Sequence, residues 1–368
     1  MRIRRRVGVR SSAVAALTVL VVAVACGPPP PGGGGGPAPE CPSRQRLVVQ
    51  STNQVDFSLV RGMSANGEWL VTSRAVGASL QLTLLSVGSN GPGELIGTIT
   101  DSDPYDPYPV AISDDGDTAV FDGRRWERAS SSVSPLIPPE PGAVLLRRSR
   151  DGRNSVWEVP TQPELYVVDG LTDEVLGWDD LGLEGPDQGS SRSGRFEAGG
   201  NAVYDRADGS SRSFAPALAA IDPIWDPFPQ SVSNDGSVVL LLGQQFQLGG
   251  VFTPSKNQWW TYDLDSGALT PVADNGFNML NHELVGEVSN DGRVVFAGVS
   301  GYLPGYDRLT GVEPDGTERV FQQGSVIPYL STAPTYLFVG SEDLRTVAYS
   351  AFTSQLPPTA TLYVARCA

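Results

Sequence analysis

An all-β fold, a single β-propeller of seven four-stranded blades, is predicted by three observations on this 368-residue sequence. The first is a phrase, S-x-[DN]-G followed by an apolar or alternating run. It recurs at Ser64, Ser113, Ser149, Ser191, Ser233, Ser289 and, decayed, at Ser341. Neighbouring copies lie about 46 residues apart on average, a period typical of propeller blades. The second is a Y-D-x-x-x-G phrase at Tyr204, Tyr262 and Tyr306, with a looser relative, "LYVVDGLTD", from Leu165. The third lies at the termini. The last unit holds "LRTVAYS" and "TLYVARC" but no fourth strand, and "QRLVVQST" near the start supplies one.

In chain order, the sequence begins outside that fold. "MRIRRRVGVR" is basic, and residues 13–25 form an apolar run shorter than the roughly 20 residues of a bilayer span, so residues 1–25 read as a signal peptide. The "AVAC" that ends it resembles the lipobox of bacterial lipoproteins, with Ala23 in place of the commoner leucine, which implies lipidation of Cys26. Residues 26–40, "CGPPPPGGGGGPAPE", have no side chains with which to build a core and read as a tether. The expected location is the extracytoplasmic face of the cell membrane. Losing residues 1–25 removes five arginines and moves the formal net charge from −15 to −20. Such acidity repels phosphate backbones, so nucleic acid is not an expected partner.

Residues 41–368 carry the propeller. Gly at 42 and Pro at 30 favour many turns over long helices. In each phrase a short strand ends at Ser and a three-residue loop follows. Gly supplies the positive φ that closes a bulged hairpin, and Asp or Asn before it bonds the loop's own amides. The next strand is often apolar throughout, as in "RVVFAG", because a blade is covered on both faces by its neighbours. Each Y-D phrase reads as a third strand running into a tight turn, followed by a fourth strand such as "ALTPV". The terminal strands close the ring and bring Cys41 and Cys367 together, and in an exported protein a disulfide between them is expected. A monomer is expected.

These phrases resemble the TolB-like, WD-like propeller repeats, whose units read S-P-D-G, an apolar strand, then L-Y-V-x-D. The resemblance covers residues 44–367 and rests on the seven phrases together with "LYVVD", "AVYD", "WTYD" and "LYVAR". It implies the propeller. The sequence departs from the pattern in lacking Pro at the second position of every copy, with Ser193 where the acidic residue belongs and Leu344 where Gly belongs. It also lacks the small α/β domain that precedes the propeller in TolB.

The chemistry is read mainly by elimination. His282 is the only histidine, which rules out a histidine-rich metal site, and there is no G-x-S-x-G, H-E-x-x-H or G-x-x-x-x-G-K-[ST] motif. No cofactor is expected. The phrase differs from the sialidase Asp-box by one residue of spacing. A second near-duplication, "DPYDPYPVAISDDG" and "DPIWDPFPQSVSNDG", places D-P-[FY]-P seven residues before the blade Ser. Asp106, Tyr108, Trp225, Asp226 and Phe228 therefore stand where the innermost strands begin. Glu184 and His282 share that offset in two further blades. Loops at strand entrances surround a propeller's channel, so these residues outline a candidate ligand-binding mouth, acidic and rimmed with aromatics. The competing reading is that Asp caps a turn while Pro and the aromatics pack between blades. Asp101, Asp103 and Asp106 form a weak calcium candidate that lacks the Gly and distal Glu of an EF-hand loop. The longest insertion, residues 243–258, is a candidate binding loop.

The expected function is that of a membrane-tethered lipoprotein whose propeller binds an envelope protein, peptide or glycan at the channel mouth, without catalysis. The alternative is a carboxylate-dependent glycan hydrolase or lyase that uses Asp106, Glu184 and Asp226.

Overall fold

The computed structural model describes residues 43–47, 59–77, 79–89, 93–100, 109–160, 165–176, 189–245, 256–274, 284–298, 308–323, 338–352 and 360–366. Residues 1–42 lie outside the described residues. The chain is an all-β, seven-bladed propeller built from seven small antiparallel sheets. The first strands of blades one, two, five, six and seven are Leu59–Met63, Ala111–Ile112, Phe228–Val232, Leu284–Val288 and Phe338–Gly340. The first strand of blade five touches that of blade six, and that of blade one touches those of blades two and seven, so these strands line the axis.

Closure takes the expected form. Ser43–Leu47 pairs antiparallel with Ala360–Arg366, from Ser43↔Arg366 to Leu47↔Leu362, and becomes the outermost strand of blade seven. One expectation needs correction, at Tyr306, and two blades show fewer strands among the described residues. Blades three and four have three strands each among the described residues. Among the described residues, blade three continues past Leu165–Asp169 as the bridge Val168↔Val175, and the first pairing of blade four is the bridge Ser190↔Glu197. The phrase at Tyr306 does not end a third strand. That strand is Arg308–Val312, and its turn is Glu313-Pro-Asp-Gly316, in which Gly316 N–H donates to the Glu313 carbonyl at 2.9 Å and Glu313 N–H to the Thr317 carbonyl at 3.0 Å. The Asp-Gly pair of "EPDG" is the true turn signal. The insertion at 243–258 is in part an extended hairpin, with Gly243↔Gln258, Gln244↔Asn257 and Gln245↔Lys256 paired; its tip, 246–255, lies outside the described residues.

The phrase has a common hydrogen-bond plan. In blade five the Ser233 carbonyl accepts from Gly236 N–H at 3.0 Å and turns toward the loop, away from the hairpin-closing N–H of Val238. The Ser233 hydroxyl takes over that role: it accepts from Val238 N–H at 2.9 Å and donates to Asp235 Oδ1 at 2.7 Å. Asp235 in turn accepts from Ser237 N–H at 2.9 Å. Ser233 N–H reaches the Val238 carbonyl, five residues on, so four residues separate the closing pair rather than the expected three. Blade six is the tighter exception, with Ser289 closing on Arg293. At blade four the acidic position is Ser193, and a 3.2 Å contact between two hydroxyls replaces the Ser–Asp bond.

Gly236 sits at φ +71°, and a Cβ there would meet the Phe196 ring of blade four at 2.4 Å. Leu344, at the matching position of blade seven, adopts φ +54°. It is 1% exposed and packs with Phe338, Val347 and Tyr349. Burial therefore holds a leucine in a conformation that costs L-residues about 1–2 kcal/mol. Between blades five and six, Trp259 stacks on Phe296 at 5.4 Å, and a Cβ on Gly286 would meet the Trp259 ring at 2.6 Å.

Candidate functional site: the central channel

The second position of the phrase, which lacks the proline of the resembling family, stitches the blades together. Asp114 Oδ1 accepts from Asn66 N–H at 2.9 Å, Asn234 Oδ1 from Ser193 N–H at 3.3 Å, and Asn290 Oδ1 from Asp235 N–H at 3.2 Å. Where that residue is Arg192 its backbone carbonyl serves, accepting from Asp151 N–H at 3.2 Å. Glu342 N–H closes the ring onto the Ala65 carbonyl at 2.9 Å. Proline would remove the N–H that Glu342 uses and every side-chain acceptor in this belt.

A cavity of about 440 Å³ opens along the axis at this loop end, lined by residues of all seven blades. Its centre is ionic. Glu287, two residues before Ser289, crosses the channel to meet Arg150 Nη2 at 2.5 Å and Arg192 Nε at 3.3 Å. Arg192 Nη1 also donates to the Ser341 carbonyl at 3.1 Å, so blades three, four, six and seven meet at one cluster. Burial pushes the Glu287 carboxyl up, but Arg192 and Arg150 outweigh it and hold the group below its ordinary range. Asp151, on the same rim, goes the other way: burial raises it above the usual aspartate range despite bonds from the Ser149 hydroxyl and Arg153 N–H. Asn234 Nδ2 donates to Glu342 Oε1 at 3.3 Å, and Arg153 holds Asp169 through two contacts of 3.0 and 2.8 Å.

The mouth outlined from sequence is at the opposite end, since D-P-[FY]-P precedes the first strand and the S-x-[DN]-G loop follows it. Of its residues, Trp225, Asp226 and Phe228 are described. Trp225 ends the short 3-10 helix Pro223–Trp225 and stands edge-on to Trp260 at 5.9 Å. Asp226 caps that helix at φ +46° and is exposed. Phe228 packs against the core shared by blades five and six. Asp222, the first residue of the same phrase, caps the turn by accepting from Ile224 N–H at 3.0 Å. Asp101, Asp103, Asp106, Tyr108, Glu184, His282, Cys26, Cys41 and Cys367 lie outside the described residues. Among the described residues, no three His, Cys, Asp or Glu side chains gather to hold a metal ion, and no helix is long and apolar enough to cross a membrane.

Sequence reasoning missed the Arg150–Glu287–Arg192 cluster. Two arginines at the second position of consecutive phrases were its available signal. The glutamate could be matched to them only once the ring had placed blade six across from blades three and four.

No family model matches the chain, and no curated protein matches it. Among solved structures it is similar to the oligogalacturonate lyase of Vibrio parahaemolyticus, with TM-score 0.50 and 12% identity over 90% of this chain and 98% of that one. It is also similar to TolB from Acinetobacter baumannii, with TM-score 0.33 and 14% identity over 73% of this chain and 55% of that one. A third is the acylaminoacyl peptidase of Pyrococcus horikoshii, with TM-score 0.46 and 14% identity over 84% of this chain and 51% of that one. The chain spans about half the length of the TolB and peptidase chains. TolB-like propellers are thus among its structural neighbours, and at these identities the likeness is one of fold.

Proposed function

We propose that the chain is an exported lipoprotein, anchored through Cys26 and clasped by a Cys41–Cys367 disulfide. Its propeller binds an envelope protein, peptide or glycan at the channel mouth and performs no catalysis. The observation that carries this reading is that the ionic groups along the described channel are used on one another. Glu287 is held by two arginines, Asp169 by Arg153, and Glu342 by Asn234. Glu287 and Asp169, each held by arginine, hold a scaffold rigid and are poorly placed for proton transfer, and Asp151, whose titration burial raises, is bonded by the Ser149 hydroxyl and the Arg153 N–H. The clasp is supported by the pairing Ser43↔Arg366, because Cys41 precedes Ser43 by two residues and Cys367 follows Arg366 by one in sequence.

A thermal-shift screen against calcium with and without chelator, envelope glycans and peptides tests the binding reading. Binding at a hundredfold excess over the dissociation constant stabilises the folded state by about 2.7 kcal/mol. A shift lost in Asp226→Asn supports the mouth. Depolymerisation of a glycan that is lost in Asp106→Asn or Asp226→Asn refutes the non-catalytic reading and favours a hydrolase or lyase.

A further inference from the structure

The loop end of the channel has a feature that the mouth reading does not use. Arg150 and Arg192 project from the second position of the phrase in adjacent blades, and both converge on Glu287. The Arg150, Arg192 and Glu287 side chains are 9%, 18% and 7% exposed, so two cations meet Glu287 out of bulk water, and Asp151 is a second buried carboxylate within the field of Arg192. Glu287 uses them poorly. Its contact with Arg150 is at Nη2, and its Oε2 accepts no hydrogen bond although Arg192 Nε lies 3.3 Å away. A carboxylate on arginine gains most from two parallel N–H···O bonds, a geometry absent here. Asn154 Oδ1, also buried on the cavity wall, accepts no hydrogen bond either. The open volume of about 440 Å³ beside these groups is within the range of small-ligand pockets.

We propose that Arg150 and Arg192 form a carboxylate-binding site at the loop end of the channel, which Glu287 occupies as an internal, replaceable ligand. An incoming carboxylate takes the paired N–H donors, and a hydroxyl or N–H elsewhere on the same ligand satisfies Asn154 Oδ1. The ligand is a small carboxylate or the carboxylate at a peptide C-terminus, both of which present the same planar anion. The site lies at the opposite end of the blades from Asp226, so it stands or falls separately from the mouth reading.

The test is titration calorimetry of the full chain at constant ionic strength. The probes are sodium acetate and acetyl-Gly-Gly-Ala as its acid and as its amide. Acetate is expected to bind with a dissociation constant of about 1–10 mM, as a single charged fork competing with an internal carboxylate allows. Glu287→Gln, which removes the competitor's charge, is expected to bind acetate about tenfold more tightly. Arg150→Gln and Arg192→Gln are expected to lose binding. A peptide acid that binds more tightly than acetate identifies a chain terminus as the source, and one that binds no better identifies a small carboxylate. If Glu287→Gln does not fold, the comparison of wild type with Arg150→Lys, which keeps the charge but loses the fork, takes its place, and weaker acetate binding by the lysine variant is expected. The proposal is overturned if acetate does not bind wild type, if Arg150→Gln binds it equally well, or if the amide binds as well as the acid.

Discussion

Leu344→Gly restores the residue that the repeat calls for, and the structure predicts that it destabilises the protein. Two terms oppose each other. Relief of the left-handed backbone at φ +54° returns about 1 kcal/mol. Removal of a leucine side chain that is 1% exposed costs more, because Phe338, Val347 and Tyr349 surround it and a cavity remains. Truncating buried leucine costs about 3–5 kcal/mol, so the net loss is about 2–4 kcal/mol. Glycine's greater freedom in the unfolded chain adds to the loss. Urea unfolding followed by tryptophan fluorescence should show a lower midpoint at an unchanged slope. A variant as stable as wild type, or more so, would refute the reasoning and make Leu344 a degraded glycine whose strain outweighs its packing.

Four further outcomes are expected. Ser233→Ala removes the acceptor of the buried Val238 N–H and should cost about 1–3 kcal/mol in chemical unfolding, whereas Ser210→Ala, at an exposed turn, should cost little. Arg293→Ala should cost about 3 kcal/mol, because that side chain is 7% exposed, holds Glu313 by two contacts and reaches the Asp343 carbonyl of blade seven. Arg195→Ala, 45% exposed in its pair with Asp205, should cost less than about 1 kcal/mol in the same measurement. Asp115 is held low first by the Ser113 hydroxyl; Asp235 and Asp291 are pushed up by burial but brought lower by their hydroxyl, amide and arginine partners. Their stabilisation is present above the ordinary aspartate value of about 3.9 and is lost as pH falls through the depressed folded values. Asp151 has the opposite sign: its contribution is full below about 3.9 and is lost as pH rises through its raised value, so Asp151→Asn should gain stability at pH 7 relative to pH 3. Unfolding midpoints across that range check both. Finally, reduction of the oxidised chain should lower stability by up to about 5 kcal/mol, the loop-closure value for so long a loop; an unchanged midpoint with two titratable thiols before reduction would refute the clasp.

The number of blades, the place of each S-x-[DN]-G hairpin, the exchange of a terminal strand and the lack of familiar catalytic motifs are all legible in the residues. These are local or periodic properties. An S-x-[DN]-G turn is specified within about six residues, and repetition gives the architecture because each unit can cover its faces only with another like it. The same locality explains the miss at Tyr306, where a Tyr-Asp pair imitated a strand end and the nearby Pro-Asp-Gly made the turn.

Which residues meet across the ring emerged only from the folded molecule. Arg150 and Glu287 are 137 positions apart in sequence, and nothing in their neighbourhoods marks them as partners. Folding also reveals that the second position of the phrase, free of proline, ties blade to blade, and that Leu344 is anchored by the core of blade seven. Contacts through the centre of a closed ring depend on the rotation between blades, a property of packing that no single repeat encodes.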